Sequence, residues 1–428
     1  MAFSKYTEYQ SLESAWLPAI PSTWGKTVGK AVFKEKKTKN IGMRQEQVLS
    51  LSYGQIIKKL AEKLHGLVPA SFEGYQIICP GDIIMRSIDL QNDKTSLRFG
   101  ISHHHGIITP AYLCLQVGKL LVPEYAYLLL HSYDVMKVFY GLGSGLRQNI
   151  SFADFKYLPL PIPPRPEQDQ IVAYLRAQDA HIARFIKAKR DLIKLLTEQK
   201  LRIIDHAVTR GLDASVRLKP SGIEWLGEVP AHWEVLRLRR LARESIKNGV
   251  GESAQHFRED WPRYIRITDI AGPTTLKDST KASLPLEIAN RAPLSPGDLL
   301  FAAVGATFGK SYLHTEMGHP CCYAGFLVKV SPNELATSEF LSLWAQSNVY
   351  WDQLRSQVIQ ATIQNFSASR YKDLVVSVPP VEEQQAICRW ITDECQPLDD
   401  AIARTEEEIK LIREYRDRLI TDVVTGQI

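Results

Sequence analysis

The chain has 428 residues, of which 45% are hydrophobic and 23% charged, and its formal net charge is +5. This length predicts two or three domains, and this balance excludes a wholly disordered chain. The mild basic surplus permits nucleic-acid binding without indicating it. No signal-peptide core and no bilayer-length apolar run occur, so we expect a cytoplasmic protein. Six scattered cysteines lack any C-x-x-C pair, which argues against a zinc ribbon or disulfide framework.

In chain order, Ile77–Cys79 and Ile83–Met85 flank Pro80-Gly81-Asp82, which predicts a strand, a turn and a strand. A helix is predicted at Pro123–Tyr140. The proline-rich stretch Pro159–Pro164 then forces an extended lead-in and a sharp helix start. Beyond it, apolar residues recur at spacings of three and four, which predicts a helix of about 40 residues: Ile171, Leu175, Ile182, Phe185, Leu192, Leu196 and Ile203.

The second half of the chain repeats this order. Five markers recur 216 positions later: Pro80-Gly81-Asp82 at 296–298, Gln148-Asn149 at 364–365, Pro163-Pro164 at 379–380, Glu167-Gln168 at 383–384 and Val208-Thr209 at 424–425. The second copy predicts a strand at Leu299–Val304, a helix at Ser338–Gln357 and another long helix after Pro380. A period of about 210 residues exceeds that of solenoid repeats, so the sequence predicts two duplicated domains, each followed by a long helix.

Each copy is predicted to be an α/β (α+β) globular part joined to a long helix. The predicted boundaries are 1–157 and 214–375 for the globular parts, and 158–213 and 376–428 for the helical regions. The first helical region is basic and the second is strongly acidic, which favours their pairing with each other. The surplus of positive charge lies on the globular parts, so an anionic partner should meet those parts first.

Several segments resemble catalytic motifs but depart from them at required positions. Gly305–Ser311 resembles a phosphate-binding P-loop, but three residues separate its glycines where the motif needs four. Ile162 and Val378 precede the Pro-Pro pairs at positions where an amino-methyltransferase would need Asn, Asp or Ser. The consecutive histidines His103–His105 cannot converge on one ion from a strand, and a polar loop, one that could touch DNA, is favoured. The sequence therefore predicts no catalytic residue and no metal site.

Two amide pairs, Gln148-Asn149 and Gln364-Asn365, each precede a Pro-Pro by about fifteen residues. Amide and guanidinium side chains can bind base edges in a bidentate manner, which favours DNA recognition by these pairs and by the neighbouring Arg147. Equally, such amides can satisfy backbone groups where a globular part meets its helix. The residues leave both interpretations open.

The most specific segments are Ser221–Glu234, with its two tryptophans, and the Pro-Pro-x-x-Glu-Gln-x-x-Ile pattern at 163–171 and 379–387. On these segments the chain resembles the specificity (S) subunit of type I restriction–modification systems over nearly its whole length. Arg263–Ile270 and Phe301–Lys310 resemble parts of target-recognition domains of that family. Met85–Lys94 resembles a different variant of such a domain, as expected if the two domains read different half-sites.

This resemblance implies two target-recognition domains separated by two helices that form an antiparallel coiled coil. It implies a non-catalytic subunit that binds a bipartite, asymmetric DNA site, one half per domain, and directs adenine methylation or restriction. The implied partners are double-stranded DNA, two modification (methyltransferase) subunits and restriction (translocase and nuclease) subunits, with no membrane. S-adenosylmethionine, ATP and Mg²⁺ are expected on those subunits and no cofactor on this chain.

The candidate DNA contacts come from the resembling segments and the amide pairs. In the first domain they are Arg86, Gln91, Lys94, Arg98, Arg147, Gln148 and Asn149; in the second they are Arg263, Tyr264, Arg266, Thr307, Lys310, Gln364 and Asn365.

Two alternatives remain. A stand-alone pseudo-dimeric DNA-binding regulator would bind tightly without a modification subunit. A coiled-coil scaffold without a DNA role would show no salt-dependent affinity for DNA.

Overall fold

A computed structural model gives the fold of the chain. It describes residues 6–59, 71–90, 97–142, 149–223, 226–254, 256–305, 307–357 and 366–428. The chain divides into two compact units, Met1–Lys189 with Glu407–Ile428, and Arg190–Glu406. In the described ranges, no helix combines the length and apolarity needed to cross a membrane.

The helices of the described residues are short except for two. They are α1 Gly29–Val32, α2 Pro123–Val135, α3 Phe152–Phe155, α4 Arg165–Arg210, α5 Leu286–Ala289, α6 Ser338–Trp344, α7 Asn348–Gln357, α8 Ala368–Lys372 and α9 Val381–Val424. In the same described residues, 3-10 turns lie at Val138–Gly141, Leu238–Arg240 and Ile267–Asp269. The two long helices, α4 with 46 residues and α9 with 44, are those that the apolar spacing predicts.

The first unit is built on short antiparallel strands. They are β1 Tyr9–Ser11, β2 Ala19–Pro21, β3 Gly25–Val28, β4 Phe33–Glu35, β5 Leu49–Ser52, β6 Gln55–Lys58, β7 Gln76–Ile78, β8 Ile83–Met85, β9 Phe99–Ile101, β10 Gly106–Ile108, β11 Leu113–Val117 and β12 Pro159–Ile162. A four-stranded sheet has the order β4-β11-β8-β9, and the pairs β1-β2, β5-β6, β7-β10 and β3-β12 each form a two-stranded sheet.

The second unit repeats this plan. Its strands are β13 Leu218–Pro220, β14 Glu228–Pro230, β15 Glu234–Arg237, β16 Lys247–Asn248, β17 Arg263–Ile265, β18 Pro293–Leu294, β19 Leu299–Ala302, β20 Ser311–Leu313, β21 Cys321–Tyr323, β22 Leu327–Val330 and β23 Val375–Val378. The sheet order β16-β22-β19-β20 corresponds to β4-β11-β8-β9. A three-stranded sheet β17-β21-β18 contains a parallel pair, β17 with β21. The predicted mixed α/β fold, with two duplicated domains, is confirmed.

The Pro-Gly-Asp marker makes the same turn in both units. Its glycine has a φ of +90° in each copy, a conformation that favours glycine. The carboxylate of Asp82 accepts the N–H of Cys79 at 2.7 Å, and that of Asp298 accepts the N–H of Ser295 at 2.8 Å. Each aspartate thus closes its own turn, and the predicted strand, turn and strand are confirmed.

The proline-rich lead-in to each long helix forms a strand. β12 pairs antiparallel with β3, and β23 pairs antiparallel with β15, each in a two-stranded sheet. A proline has no N–H to donate, and a two-stranded sheet has only edges, so the prolines of β12 are tolerated there.

A buried glutamine fixes the start of α4. The side-chain oxygen of Gln168 accepts the N–H of Val122 at 2.8 Å, just before α2. Its amide nitrogen donates to the carbonyls of Leu120 at 3.0 Å and Pro163 at 2.9 Å. One side chain therefore joins the first turn of the long helix to the start of a domain helix.

Gln384 makes the same three bonds at the start of α9. It accepts the N–H of Thr337 at 2.8 Å and donates to the carbonyls of Leu335 at 2.8 Å and Pro379 at 2.9 Å. Both glutamines are almost fully buried. The Glu-Gln marker is therefore explained by backbone groups that would otherwise be buried without partners.

The first unit takes in the end of α9. Leu419, Val423 and Val424 belong to the same apolar core as Ile20 and Trp24. The hydroxyl of the buried Tyr125 donates to the carbonyl of Val424 at 2.8 Å. The helix is followed by a glycine in the left-handed conformation, a common helix terminator.

The second unit takes in the end of α4 in the same way. Ile204, Ala207 and Val208 pack in one core with Trp233. The hydroxyl of Ser377 donates to the carbonyl of Val208 at 2.9 Å, and a left-handed glycine again follows the helix. The Val-Thr marker therefore lies at the end of each long helix, where its valine packs into a domain core.

Ion pairs link the two long helices inside each unit. In the first unit Asp179 pairs with Arg416, and Lys189 pairs with Glu408 at 2.5 Å. As the residue number rises along α4 it falls along α9, so the helices are antiparallel, as predicted. In the second unit Lys200 of α4 pairs with Asp399 of α9 at 2.6 Å. In the two lysine pairs, a base of α4 contacts a carboxylate of α9, in agreement with the opposite charges of the two helical regions.

Two predicted helices are shorter than their sequence pattern. The helix predicted at Pro123–Tyr140 stops with α2, because Lys137 adopts a φ of +61° and a 3-10 turn follows. The helix predicted at Ser338–Gln357 is two helices, α6 and α7. Asp205 of α4 accepts the N–H of Asn348 at 2.8 Å, which caps α7 at its start.

Arg98, a predicted DNA contact, is fully buried at the end of the loop between β8 and β9. Its guanidinium donates to the carbonyls of Arg86 at 3.1 Å, Ile88 at 3.0 Å and Asp89 at 3.3 Å. It also donates to the hydroxyl of Tyr140 at 3.1 Å. A planar group with five donors suits this convergence of carbonyls. Arg98 therefore shapes the loop from inside.

We expect Gln168→Ala and Gln384→Ala each to lower the free energy of unfolding by about 2–3 kcal/mol, because three backbone groups lose their partner. Urea denaturation measures the change. Gln170→Ala and Gln385→Ala remove exposed neighbours on the same helices and should change it by less than about 0.5 kcal/mol. Equal effects of the buried and exposed substitutions would contradict this role.

We expect Arg98→Met to lower the free energy of unfolding by about 2 kcal/mol, because methionine fills the space but leaves the loop carbonyls without donors. The exposed Lys119→Met is the matched control in the same unit. Thermal and urea unfolding check both variants. Unchanged stability of Arg98→Met would show that the loop does not depend on the guanidinium.

Candidate nucleic-acid interface

Three segments of the first unit meet next to the β8–β9 loop. The N–H of Ile150 donates to the carbonyl of Ser87 at 2.9 Å. The hydroxyl of Ser87 donates to the carbonyl of Ala111, in the turn between β10 and β11, at 3.4 Å. The side-chain oxygen of Asn149 accepts the N–H of Asp89 at 3.2 Å. The segment that carries the Gln-Asn marker is thus held against the loop that follows the Pro-Gly-Asp strand.

The second unit builds the same junction. The N–H of Phe366 donates to the carbonyl of Ala303 at 2.7 Å, and the N–H of Ala303 donates to the carbonyl of Phe326 at 2.9 Å. Ala303, Phe366 and Phe326 lie 216, 216 and 215 positions after their counterparts Ser87, Ile150 and Ala111. The duplication therefore preserves the backbone arrangement and changes the side chains on it.

We name these junctions by their described residues. The first loop surface comprises 86–90, 109–112 and 149–151, and the second loop surface comprises 303–305, 307–310, 324–326 and 366–367.

Four of the predicted DNA contacts lie on these surfaces. Arg86 is half-buried and Asn149 is exposed on the first loop surface. On the second, Thr307 is half-buried and Lys310 is exposed. The N–H of Lys310 donates to the carbonyl of Thr307 at 3.2 Å, which closes the turn between β19 and β20. Their exposure leaves Asn149 and Lys310 open to a partner.

Six predicted contacts lie outside the described residues. They are Gln91, Lys94, Arg147, Gln148, Gln364 and Asn365.

Arg263 and Tyr264 are buried in β17 and do not offer base contacts in this structure. Arg263 donates to the carbonyl of Lys277 at 3.2 Å. The Tyr264 hydroxyl lies 2.9 Å from the carbonyls of both Val250 and Glu252. Burial raises the pKa of Tyr264, so the hydroxyl stays protonated and donates at neutral pH. In this structure both side chains bond within the unit, and Tyr264 holds the segment whose Val250 contacts Gly325 of the second loop surface.

Arg266 is also used within its unit. Its guanidinium contacts the carboxylate of Asp269 at 3.2 Å and the carbonyl of Ala254 at 2.8 Å, and it donates to the carbonyl of Thr280. These bonds fix three neighbouring segments around a half-buried arginine. Arg266, like Arg98, has its donors occupied by the domain rather than held out to a partner.

No motif of the sequence points to the turn at 324–326. The signal is present, because Gly325 interrupts two runs, Cys321–Tyr323 and Leu327–Val330, that the structure buries completely. In that buried setting Phe326 is exposed. The glycine marks a turn in the sequence, but only the structure shows that the aromatic residue beside it is exposed.

The motifs that resemble catalytic sites have other geometry. Gly305–Ser311 leads from β19 into β20, an antiparallel hairpin, whereas a P-loop joins a strand to a helix. His103–His105 lie in the connection between β9 and β10, with the outer two histidines exposed. Within the described ranges, no group of three or more His, Cys, Asp or Glu side chains is arranged to hold a metal ion.

Comparison with known proteins adds sequence relatives. Two curated relatives come from Methanocaldococcus jannaschii. The type I restriction enzyme MjaVIII specificity subunit is 23% identical over 281 residues, which cover 64% of this chain and 63% of that protein. The putative MjaX specificity subunit is 22% identical over 328 residues, 72% of this chain and 68% of that protein. The chain thus spans somewhat less than two thirds of the length of the first relative.

A solved structure and a family model agree with these relatives. A chain from a study of complex assembly and conformational transition of the type I R-M system superposes with a TM-score of 0.63 at 14% identity, over 96% of this chain and 99% of that one. This likeness shows the fold. The model of the type I restriction modification DNA specificity domain matches residues 111–195 and 264–411, more than half of the chain. The chain therefore belongs to the type I restriction–modification DNA specificity family, as its sequence resemblance predicted.

Proposed function

We propose that this chain is the sequence-reading subunit of a type I restriction–modification complex and that it binds a bipartite, asymmetric DNA site. Each unit contacts one half-site through its loop surface. The chain itself carries out no chemistry, and it directs adenine methylation or restriction by partner subunits.

The observation that carries this proposal is the pair of equivalent loop surfaces. They share a backbone bond, since the N–H of Ile150 donates to Ser87 as that of Phe366 donates to Ala303. Their side chains differ. Two scaffolds of one design that display different side chains suit two half-sites of different sequence, because base edges are distinguished by the donors, acceptors and apolar groups placed against them.

Charge supports contact with DNA at the second loop surface. Lys310 is exposed there, and no carboxylate of the described residues forms an ion pair with it. An exposed lysine without a carboxylate neighbour is able to neutralise a phosphate and release a counterion. Thr307, on the same turn, has a hydroxyl that could bond to either a phosphate or a base.

Exposed apolar side chains on the long helices support docking of other subunits. In the first unit Phe185, Leu411 and Tyr415 are 42, 54 and 52% exposed, and in the second unit Leu192 and Leu195 are 40 and 62% exposed. Large apolar side chains gathered on a helix surface favour a protein partner. We propose that two modification subunits dock along these helices and that restriction subunits join them.

We further propose that the helices set the gap between half-sites. At about 1.5 Å per residue a helix of this length spans roughly 60–70 Å, and half-sites one turn of B-DNA apart are about 34 Å apart. S-adenosylmethionine, ATP and Mg²⁺ would be bound by the partner subunits, in the cytoplasm of a bacterium or archaeon.

The deciding experiment maps adenine methylation of host DNA with and without this chain, alongside its modification subunit. We expect one bipartite methylated motif that disappears when the chain is deleted. Methylation that persists unchanged, with an active modification subunit, would contradict the proposal. Tight, sequence-specific binding by the isolated chain would instead favour a stand-alone pseudo-dimeric regulator.

We expect Lys310→Ala to weaken DNA binding by the assembled complex alike for all sequences. Because one phosphate contact is lost, the slope of log affinity against log salt should fall by about 1. Lys277→Ala, an exposed lysine of the same unit outside the second loop surface, is the matched control. Titrations of labelled DNA at several salt concentrations measure the slope, and equal slopes for the two variants would exclude this contact.

A further inference from the structure

Phe326 is exposed where its neighbours are buried. It lies in the turn between β21 and β22, and its side chain is 64% exposed. The three residues of β21 and the four residues of β22 are all buried. A phenylalanine held out from a turn between two buried strands contributes little to the core that surrounds it. Its aromatic surface is available to a partner.

The backbone around Phe326 is fixed by several bonds. Its carbonyl accepts the N–H of Ala303 at 2.9 Å. The preceding Gly325 donates its N–H to Val250 at 2.7 Å, and its carbonyl accepts the side chain of Asn248 at 2.8 Å. A side chain on so firmly held a turn has little backbone freedom to lose when it binds, so contact with it costs less conformational entropy.

Small residues border this turn. Gly249 packs so tightly that a Cβ there would lie 2.1 Å from the carbonyl oxygen of Tyr323. Around Gly251 and Gly305, a Cβ would meet no atom of the described residues within 4 Å. Glycines of this kind allow another backbone to approach closely. Phe326 therefore projects from a surface of small residues that a DNA strand could approach closely.

The first unit has no aromatic at the equivalent place. Ala111 is the counterpart of Phe326, at the same turn and with its carbonyl bonded to the same neighbouring loop. If the aromatic were needed to build the turn, the first unit would also need a large side chain there. The two units therefore differ at this position in the side chain that they expose, and not in the turn that carries it.

We propose that Phe326 contacts the bases of the half-site read by the second unit, through its aromatic face. It would stack on a base or enter between two base pairs, as apolar side chains do where proteins kink DNA. This inference rests on the proposed function, because it assumes that the second loop surface faces DNA. It makes Phe326 a specificity-determining residue with no equivalent in the first unit.

The test measures binding of the complete complex, this chain with its modification subunits, to DNA carrying its bipartite site. A panel of duplexes changes one base pair at a time in each half-site. We expect Phe326→Ala to weaken binding to the correct site about tenfold or more, the effect of losing one stacked base. Discrimination should relax at one or two positions of a single half-site and stay unchanged in the other.

Two further substitutions separate stacking from bulk. Phe326→Trp should keep most of the affinity, because it keeps an aromatic face, whereas Phe326→Leu should lose most of it. Leu286→Ala, which removes another apolar side chain of the same unit that is 58% exposed, should leave binding within about twofold of the wild type. Melting temperatures should be alike for all four variants, because neither position lies in the core.

The outcomes are distinct. Phe326→Ala binding that matches Leu286→Ala would overturn the role of Phe326 and leave the proposed function intact. Equal relaxation in both half-sites, or equal loss on non-specific DNA, would also overturn it. A wild-type complex without sequence preference would remove the proposed function and this inference together.

Discussion

The structure depends on how each long helix is anchored at its first turn. A glutamine side chain there satisfies three backbone groups, one in the residues between the lead-in strand and the long helix and two in the segment before a domain helix. An amide that is buried with every bond made has few alternative positions, because any shift of the helix would leave several buried groups without partners. The helix direction is therefore fixed relative to the domain of its own unit, and the identical set of bonds in the second copy fixes it in the same way.

A comparison of the two copies shows which residues are the same in both and which differ. The kept residues are internal: the turn-closing aspartate, the junction glutamine and the glycine after each long helix. The varied ones lie at the ends of strands, where Ser87 corresponds to Ala303 and Ala111 to Phe326. Rigid scaffolds with variable loops are a common way to place binding residues, since loops can change without loss of the core.

The fold was largely predictable because the repeat marks residues with fixed structural tasks. Pro80-Gly81-Asp82 predicts a turn, and the proline-rich lead-in predicts the start of a helix. The roles of single arginines were not predictable. Arg98 and Arg86 belong to one loop, and only the pairing of β8 with β9 decides that Arg98 lies inside. Nothing local in the sequence distinguishes a guanidinium that binds carbonyls from one that meets DNA.

The strand β17 shows a second case in which the sequence did not predict the positions of side chains. Neighbouring residues of a strand point to opposite faces, so one of Arg263 and Tyr264 would be expected outside. Both are buried, because β17 pairs with β21 and apolar clusters cover it: Ile265 lies in one cluster and Tyr264 in another. The Gln-Asn markers led from the sequence to the loops of the candidate interface, and of the four marker residues the structure describes Asn149, which is exposed. The exposed turn at 324–326 required the structure, because no motif distinguishes it.

The membership of each unit has a consequence for how the chain folds during synthesis. The second unit is one continuous segment, Arg190–Glu406, whereas the first unit also needs Glu407–Ile428. A ribosome releases the amino-terminal domain first, yet the core of that domain lacks Val423 and Val424 until the last turn of α9 has emerged. The domain made first is therefore the last to be completed. Until then the first domain lacks part of its apolar core, and a chain that is cut short within α9 would leave that domain incomplete.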